Sequence, residues 1–563
     1  MAGRKLNLWV LIIILALFYS VKAQNIENSP HNLSVTGPGT IKATSETELC
    51  VFCHTPHNSS PKAPLWNRAD PGASYQVYNS SSVDAVIGQP DGSSLLCLSC
   101  HDGTIALGHV LSRPTDIGFS SGITTLPSGE TNLSTDLSDD HPISFAYTSS
   151  LASSNPQLKN PNNIHSALKL ENGKLQCTTC HDPHDNSKGN FLVLSMYKSN
   201  LCKKCHKMTN WANSEHKLST ATWNGNGVDP WPNTTYNTVE KNACRNCHSP
   251  HNAAGKERLL NYQNEEDNCL VCHSGNVAGK DIQSDFLKPY THNVYIYNQI
   301  HQPEEGIPVT SQHVECVDCH NPHSANNATA SAPNASGALS YVSGIDGDGN
   351  PVSNITYEYQ LCYKCHADSP SKPGSHTPRV IDQDNVRLEF DPSNPSYHPI
   401  EAPGKNNNVT TLISPLTESS IIYCTDCHAS NNSSAAGPHG SIYPQILKYK
   451  YVTADNTTES YQNYELCYQC HDRNKIINDT STKFGKEVHR KHVVGEKLPC
   501  NNCHDPHGIS SSQGNSTNNT NLINFRSDVV QPYNGQLKFV DQGDHKGQCY
   551  LQCHGERHDP KSY

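Results

Sequence analysis

Cysteine and histidine are the residues of this chain whose types and spacing could do chemistry. The 563-residue sequence holds 24 Cys and 32 His. Eleven times, two cysteines two residues apart are followed at once by a histidine: Cys50-Cys53-His54, Cys97-Cys100-His101, Cys177-Cys180-His181, Cys202-Cys205-His206, Cys244-Cys247-His248, Cys269-Cys272-His273, Cys316-Cys319-His320, Cys362-Cys365-His366, Cys424-Cys427-His428, Cys467-Cys470-His471 and Cys500-Cys503-His504. A twelfth motif, Cys549-Cys553-His554, has three residues between its cysteines, and no cysteine is left over. Zinc sites and disulfide frameworks also use paired cysteines, but neither requires a His after every pair. The pattern is that of c-type haem attachment. Two thiols form thioethers with the two vinyl groups, and the adjacent His falls under the iron as its proximal ligand. Twelve covalent haems c are expected.

Each iron then needs a second ligand or keeps an open face. After the initiator only Met196 and Met208 are available, whereas twenty His lie outside the motifs. The expectation is His/His ligation, with potentials below those of Met-ligated haems. Five motifs continue as H-x-P-H, which adds His57, His184, His251, His323 and His507; Gly437-Pro438-His439 supplies a sixth counterpart. Proline disfavours a continuing helix, so the second His is sent away from its own haem towards a neighbouring one. These six motifs alternate with six plain ones, giving six doubled units that start at Cys50, Cys177, Cys244, Cys316, Cys424 and Cys500. Upstream of each lies a further His: His31, His141, His216, His292, His398 and His492. Six upstream and six downstream residues make twelve distal ligands. His165 could replace His141, His301 or His313 could replace His292, and His489 could replace His492. The others (His109, His376, His545, His558) read as surface or propionate contacts.

The surrounding chain offers little else to build a core. Only 34% of residues are hydrophobic and 17% charged, too little apolar surface for an ordinary fold of this length. The haems themselves must serve as the core. No long amphipathic helix and no sustained strand alternation is visible. The expected fold is mostly coil with short α-helices carrying the motifs, for example around Cys202 and Cys467. The doubled unit is an internal repeat, so a quasi-linear array is expected. By haem count it divides into 24–215, 216–375 and 376–563. Residues 1–23 read as a secretory signal peptide: Arg4 and Lys5, an apolar run from Leu8 to Phe18, and small residues before Gln24. The run is too short to span a membrane, and no second such run follows. The mature chain is thus expected to be exported, to the periplasm or the cell surface. A net charge of −11 excludes general nucleic-acid binding and favours cationic partners or positively charged mineral surfaces.

The stretches His31-Asn32-Leu33-Ser34, Cys50-Val51-Phe52-Cys53-His54-Thr55-Pro56-His57, Pro64-Leu65-Trp66-Asn67-Arg68, Cys97-Leu98-Ser99-Cys100-His101-Asp102-Gly103-Thr104 and Asp140-His141-Pro142 resemble the doubled-CxxCH multihaem cytochromes c. The first four motifs are also similar to tetrahaem cytochromes that polymerise into extracellular filaments. The resemblance implies that motif His and H-x-P-H His serve as axial ligands, and that redox proteins or an extracellular acceptor are the partners. An electron carrier is the leading expectation. One alternative is an oxidoreductase of nitrogen or sulfur compounds with one open haem, the Cys549-Cys553-His554 site being its best candidate; the other is a filament subunit. Every motif keeps its His, which favours the carrier, and no catalytic residue is assigned.

Overall fold

A computed structural model describes residues 26–296, 305–431, 436–480 and 484–563. The expected signal peptide, 1–23, and the alternative ligand His301 lie outside them. By internal contacts the chain forms two units. One runs to Thr209 and includes Asn233–Gln263; the other comprises Asn210–Pro232 and Asn264–Tyr563.

As expected, coil dominates and the helices are short. Three of them, α1 (Gly92–His101), α2 (Glu265–His273) and α3 (Glu358–His366), each end on the His of a plain motif. The H-x-P-H motifs make a single turn, as at Cys177–Cys180 and Cys316–Cys319. The next residue is already extended, with φ −120° and ψ 135° at His181 and φ −130° and ψ 132° at His320. The proline two residues further on holds its predecessor out of the α region, so the helix cannot run on. Each turn is closed by the His N–H donating to the first Cys carbonyl, at 2.8 Å for His54 and 3.0 Å for His181, His248, His320 and His504. In the C-x-(T/D)-C turns the middle side chain caps backwards. Thr179 accepts from the Gln176 N–H, and Asp318 and Asp426 from those of Glu315 and Tyr423, at 2.8–3.0 Å.

Two elements were not foreseen. Phe484–Gly495 is a π-helix of twelve residues, a form found mostly as short pieces at functional sites. The C-terminal end is a four-stranded antiparallel sheet: β1 (Val530–Gln531), β2 (Lys538–Asp541), β3 (Gly547–Cys553) and β4 (Glu556–Ser562), with β3 pairing with each of the others. The twelfth cysteine pair therefore sits on a strand. Residues i and i+4 share a strand face, which the three-residue gap allows.

Hydrophobic residues gather in small separate clusters. In the first unit one holds Ala43, Phe52, Leu107 and Phe119; in the second, one holds Ile345, Tyr359, Tyr363, Ala367, Phe390 and Ile400 and another Phe525, Val530, Phe539 and Leu551. Motif cysteines pack on their edges: Cys53 and Cys100 on the first cluster, Cys424 on the second, and Cys503, Cys549 and Cys553 on the third. In the first unit Arg68 is fully buried. It donates to the carbonyls of Leu107 at 2.9 Å, Ala106 at 3.0 Å and Ser99 at 3.1 Å, so one guanidinium ties the first two motifs together. Arg68→Met is expected to destabilise the haem-loaded protein by about 3 kcal/mol, through loss of charge-assisted bonds and three stranded carbonyls. Denaturant unfolding should show the shift, with the visible spectrum of the folded protein unchanged.

Candidate metal centres

None of the 24 cysteines is in a disulfide, and the motifs lie side by side across consecutive doubled units. The first cysteine of a plain motif lies beside the first cysteine of the next unit's motif: Cys97 by Cys177, Cys202 by Cys244, Cys362 by Cys424 and Cys467 by Cys500. Residues near the start of each plain helix reinforce the join. The hydroxyls of Ser94 and Ser199 accept from the N–H of Cys177 and Cys244, and the carboxylates of Glu265 and Glu358 from those of Val317 and Thr425, at 3.0–3.2 Å.

Around these joins the imidazoles lie in pairs. In the first unit, ring centroids are 6.1 Å apart for His54/His184, 6.2 Å for His31/His101 and His181/His251, and 6.3 Å for His141/His206. In the second unit they are 6.1 Å apart for His292/His366 and His428/His507, and 6.2 Å for His320/His439. They are 6.3 Å apart for His216/His273 and His489/His504, and 6.4 Å for His398/His471. Metal–imidazole bonds are about 2 Å long, so two rings on opposite sides of one metal would have centroids about 6 Å apart. The spacing fits a six-coordinate iron.

Hydrogen bonds set the tautomer of many of these rings. Nδ1 of His101, His181, His248, His428 and His504 lies 2.7–2.9 Å from a backbone carbonyl. Nδ1 of His31 and His216 reaches the carbonyls of Pro183 and Pro322, at 3.3 and 2.8 Å, and that of His398 reaches the Pro506 carbonyl. These prolines are the ones inside H-x-P-H, so the motif that ends a helix also orients an upstream His. Nδ1 of His251 and His507 instead faces the carboxylates of Asp140 and Glu389, at 3.0 and 2.8 Å. An Nδ1 bound in this way leaves Nε2 with the lone pair a metal requires. Burial, and secondarily the facing imidazole, pushes His206, His273, His366, His428, His439 and His471 down to about 4. These rings are held neutral, the ligating form.

A recurring clip holds the motif His, and the sequence reading did not see it. Residues 190–191, 258–259, 445–446 and 521–522 are consecutive non-glycine residues with φ between +49° and +60°. The first of each pair supplies the carbonyl for Nδ1 of His181, His248, His428 or His504. Two residues after the pair, Val193, Asn261, Lys448 and Asn524 donate their N–H to the second motif cysteine's carbonyl at 2.8–2.9 Å. Left-handed backbone costs an ordinary residue roughly 1–2 kcal/mol, so neighbouring structure must enforce it. The only trace in the sequence is an apolar residue ten to eighteen positions after the motif, as at Phe191, Leu259, Ile446 and Leu522.

The other expected site residues lie as follows. His57 is exposed and has no ring partner among the described residues. His323 meets the Trp211 ring edge-on, centroids 6.3 Å apart. His492 lies beside His558, and His554 turns to Asp455. Of the open alternatives, His165 is exposed and His313 points Nε2 at Glu305, 3.1 Å away. His489 and His492 each face another imidazole.

Three segments, residues 169–210, 237–278 and 414–476, match the family model of the doubled CXXCH motif; they hold the doubled units that begin at Cys177, Cys244 and Cys424. Serial paired attachment motifs on a coil scaffold, with facing imidazoles, are the features of a multihaem c-type cytochrome, and the matched segments support haem c attachment in this chain. It is similar to the multihaem cytochrome MtrA of Shewanella baltica (strain OS185), with 26% identity over 220 residues. That match covers 36% of this chain and 47% of the relative, so it spans about half of the relative's length. Among the described residues no helix is long and apolar enough to cross a membrane.

Proposed function

We propose that this cytochrome carries twelve haems c on its twelve cysteine pairs and works as an electron conduit outside the cytoplasm, between a redox partner protein and a periplasmic or extracellular acceptor. The observation that carries this reading is that ten motif imidazoles each face a second imidazole at 6.1–6.4 Å. Such pairs leave no face of the metal for a substrate, so the haems would relay electrons and not bind reactants. In each of the ten pairs the chain would supply both nitrogens that hold the iron; carbonyls or carboxylates fix the tautomer of many of the rings, and all but the exposed His54/His184 pair are half-buried. His/His ligation would hold the potentials low. The test is carbon monoxide added to the fully reduced protein. An unchanged visible spectrum is expected; a response from even one haem would favour the oxidoreductase reading.

A second reading, a subunit of an extracellular filament, rests on His57. Second His of later H-x-P-H motifs, His184, His251 and His507, face the motif His of the preceding unit, whereas the exposed His57 faces no other ring among the described residues. If it ligates a haem of another copy, the wild type will elongate in solution and His57→Ala will not, as sedimentation velocity would show.

A further inference from the structure

Two of the facing pairs differ from the rest in what holds the second imidazole. Nδ1 of His251 lies 3.0 Å from Oδ1 of Asp140, and Nδ1 of His507 lies 2.8 Å from Oε2 of Glu389. Both carboxylates are buried, and among the described residues neither is paired with a lysine or an arginine. Nδ1 of His31 and His216, by contrast, faces a proline carbonyl, and Nδ1 of His439 is buried with no hydrogen-bond partner among the described residues. We infer that Asp140 and Glu389 are positioning residues that give the haems at Cys177/Cys180 and Cys424/Cys427 the lowest potentials of those with two facing imidazoles. These two haems are then the last to accept an electron from a redox partner and the first to pass one on. The inference rests on the haem-binding reading above.

An imidazole whose N–H donates to a carboxylate is the more basic ligand. Electron density pushed towards Nε2 favours ferric over ferrous iron, and a negative charge held beside the ring in a poorly solvated site acts in the same sense. A carbonyl does this more weakly, because it carries no net charge. Both sites suit a haem: Cys177–Cys180 and Cys424–Cys427 are single helical turns, and residues three apart on such a turn share a face. The arrangement also recurs. Each pair joins the first motif of one doubled unit to the H-x-P-H of the next, His181 to His251 and His428 to His507, with centroids 6.2 and 6.1 Å apart. In both, an upstream H-P-I segment grips that H-x-P-H. The His141 N–H donates to the Pro250 carbonyl at 2.9 Å, and the His398 N–H to the His507 carbonyl at 2.8 Å. The carboxylates nevertheless come from different places. Asp140 directly precedes His141, whereas Tyr397 precedes His398, and Glu389 is supplied by the short helix Val386–Phe390. Two different elements deliver the same group to the same ring nitrogen, so the carboxylate is not a by-product of one repeated motif.

The test is a spectroelectrochemical titration of the full haem-loaded protein and of its Asp140→Asn and Glu389→Gln variants, which keep the side chain's size and remove its charge. In the wild type two haems are expected to form the lowest-potential step. Each variant should move one haem's share of the absorbance change out of that step to higher potential, and the double variant both shares. Electron paramagnetic resonance should show every variant as low-spin as the wild type, because both ligands remain. A wild type without a two-haem lowest step, or variants that leave that step unmoved, overturn the assignment. So does a variant that turns high-spin, since the carboxylate would then only prop the ring. Should one variant fail to load haem, the other decides; should both fail, the wild-type step decides. Carbon monoxide binding to the reduced wild type at these haems would instead overturn the facing-pair reading, and the assignment with it.

Discussion

The chain made without covalent haem attachment is expected to be unfolded, losing the whole of a domain's stability, about 5–15 kcal/mol. Its apolar residues form clusters of a few side chains each, and the motif cysteines border them. Its helices of nine and ten residues are too short to persist alone in water. Every one of them ends in an attachment motif, so the group bound there must supply the missing contacts, and binding free energy becomes folding free energy. Circular dichroism of the unattached chain should show coil and no cooperative melting, whereas the loaded protein should melt cooperatively. A cooperative transition in the unattached chain would mean that the polypeptide alone holds the fold.

Removing one distal imidazole is expected to convert one inert haem into a reactive one. His439 is the informative choice, because it follows the motif of His428 in sequence yet faces His320, with centroids 6.2 Å apart. His439→Ala should yield one high-spin haem that binds carbon monoxide when reduced, against none in the wild type. His439→Met should restore six-coordination at a raised potential, since thioether ligation raises it. The response should vanish when Cys316 and Cys319 are also replaced by Ser, and persist when Cys424 and Cys427 are replaced instead. The reverse result would place His439 on the haem of its own unit.

How much of this was legible beforehand follows the range of each interaction. The cysteine pairs and the following His are contiguous, and their chemistry is set by spacing along the chain. The coil-rich fold with short helices also followed from composition and from the prolines that stop each turn. The clips at 190–191, 258–259, 445–446 and 521–522 were illegible, because nothing in residues such as Phe191 or Ile446 announces a left-handed backbone; the strain is enforced by hydrogen bonds to a motif many positions earlier. The π-helix was missed because its histidines, three apart, face two different imidazoles, His504 and His558. The final sheet was missed because its strands, such as Val530–Gln531 and Lys538–Asp541, are short and lack a sustained alternation of apolar and polar residues.

The sequence by itself determined where haem can be attached and that a conventional apolar core could not form, and its histidine count led to the expectation that histidine supplies the second ligand. Those are properties of composition and of neighbours a few bonds apart. Only the tertiary structure decided which imidazole meets which. His184 crosses to His54, His439 to His320 and His489 to His504, and His558 comes to lie beside His492. The physical reason is that ligation needs two nitrogens on opposite sides of one metal. A turn of three or four residues places only one of them, so the second must arrive from wherever the fold returns the chain.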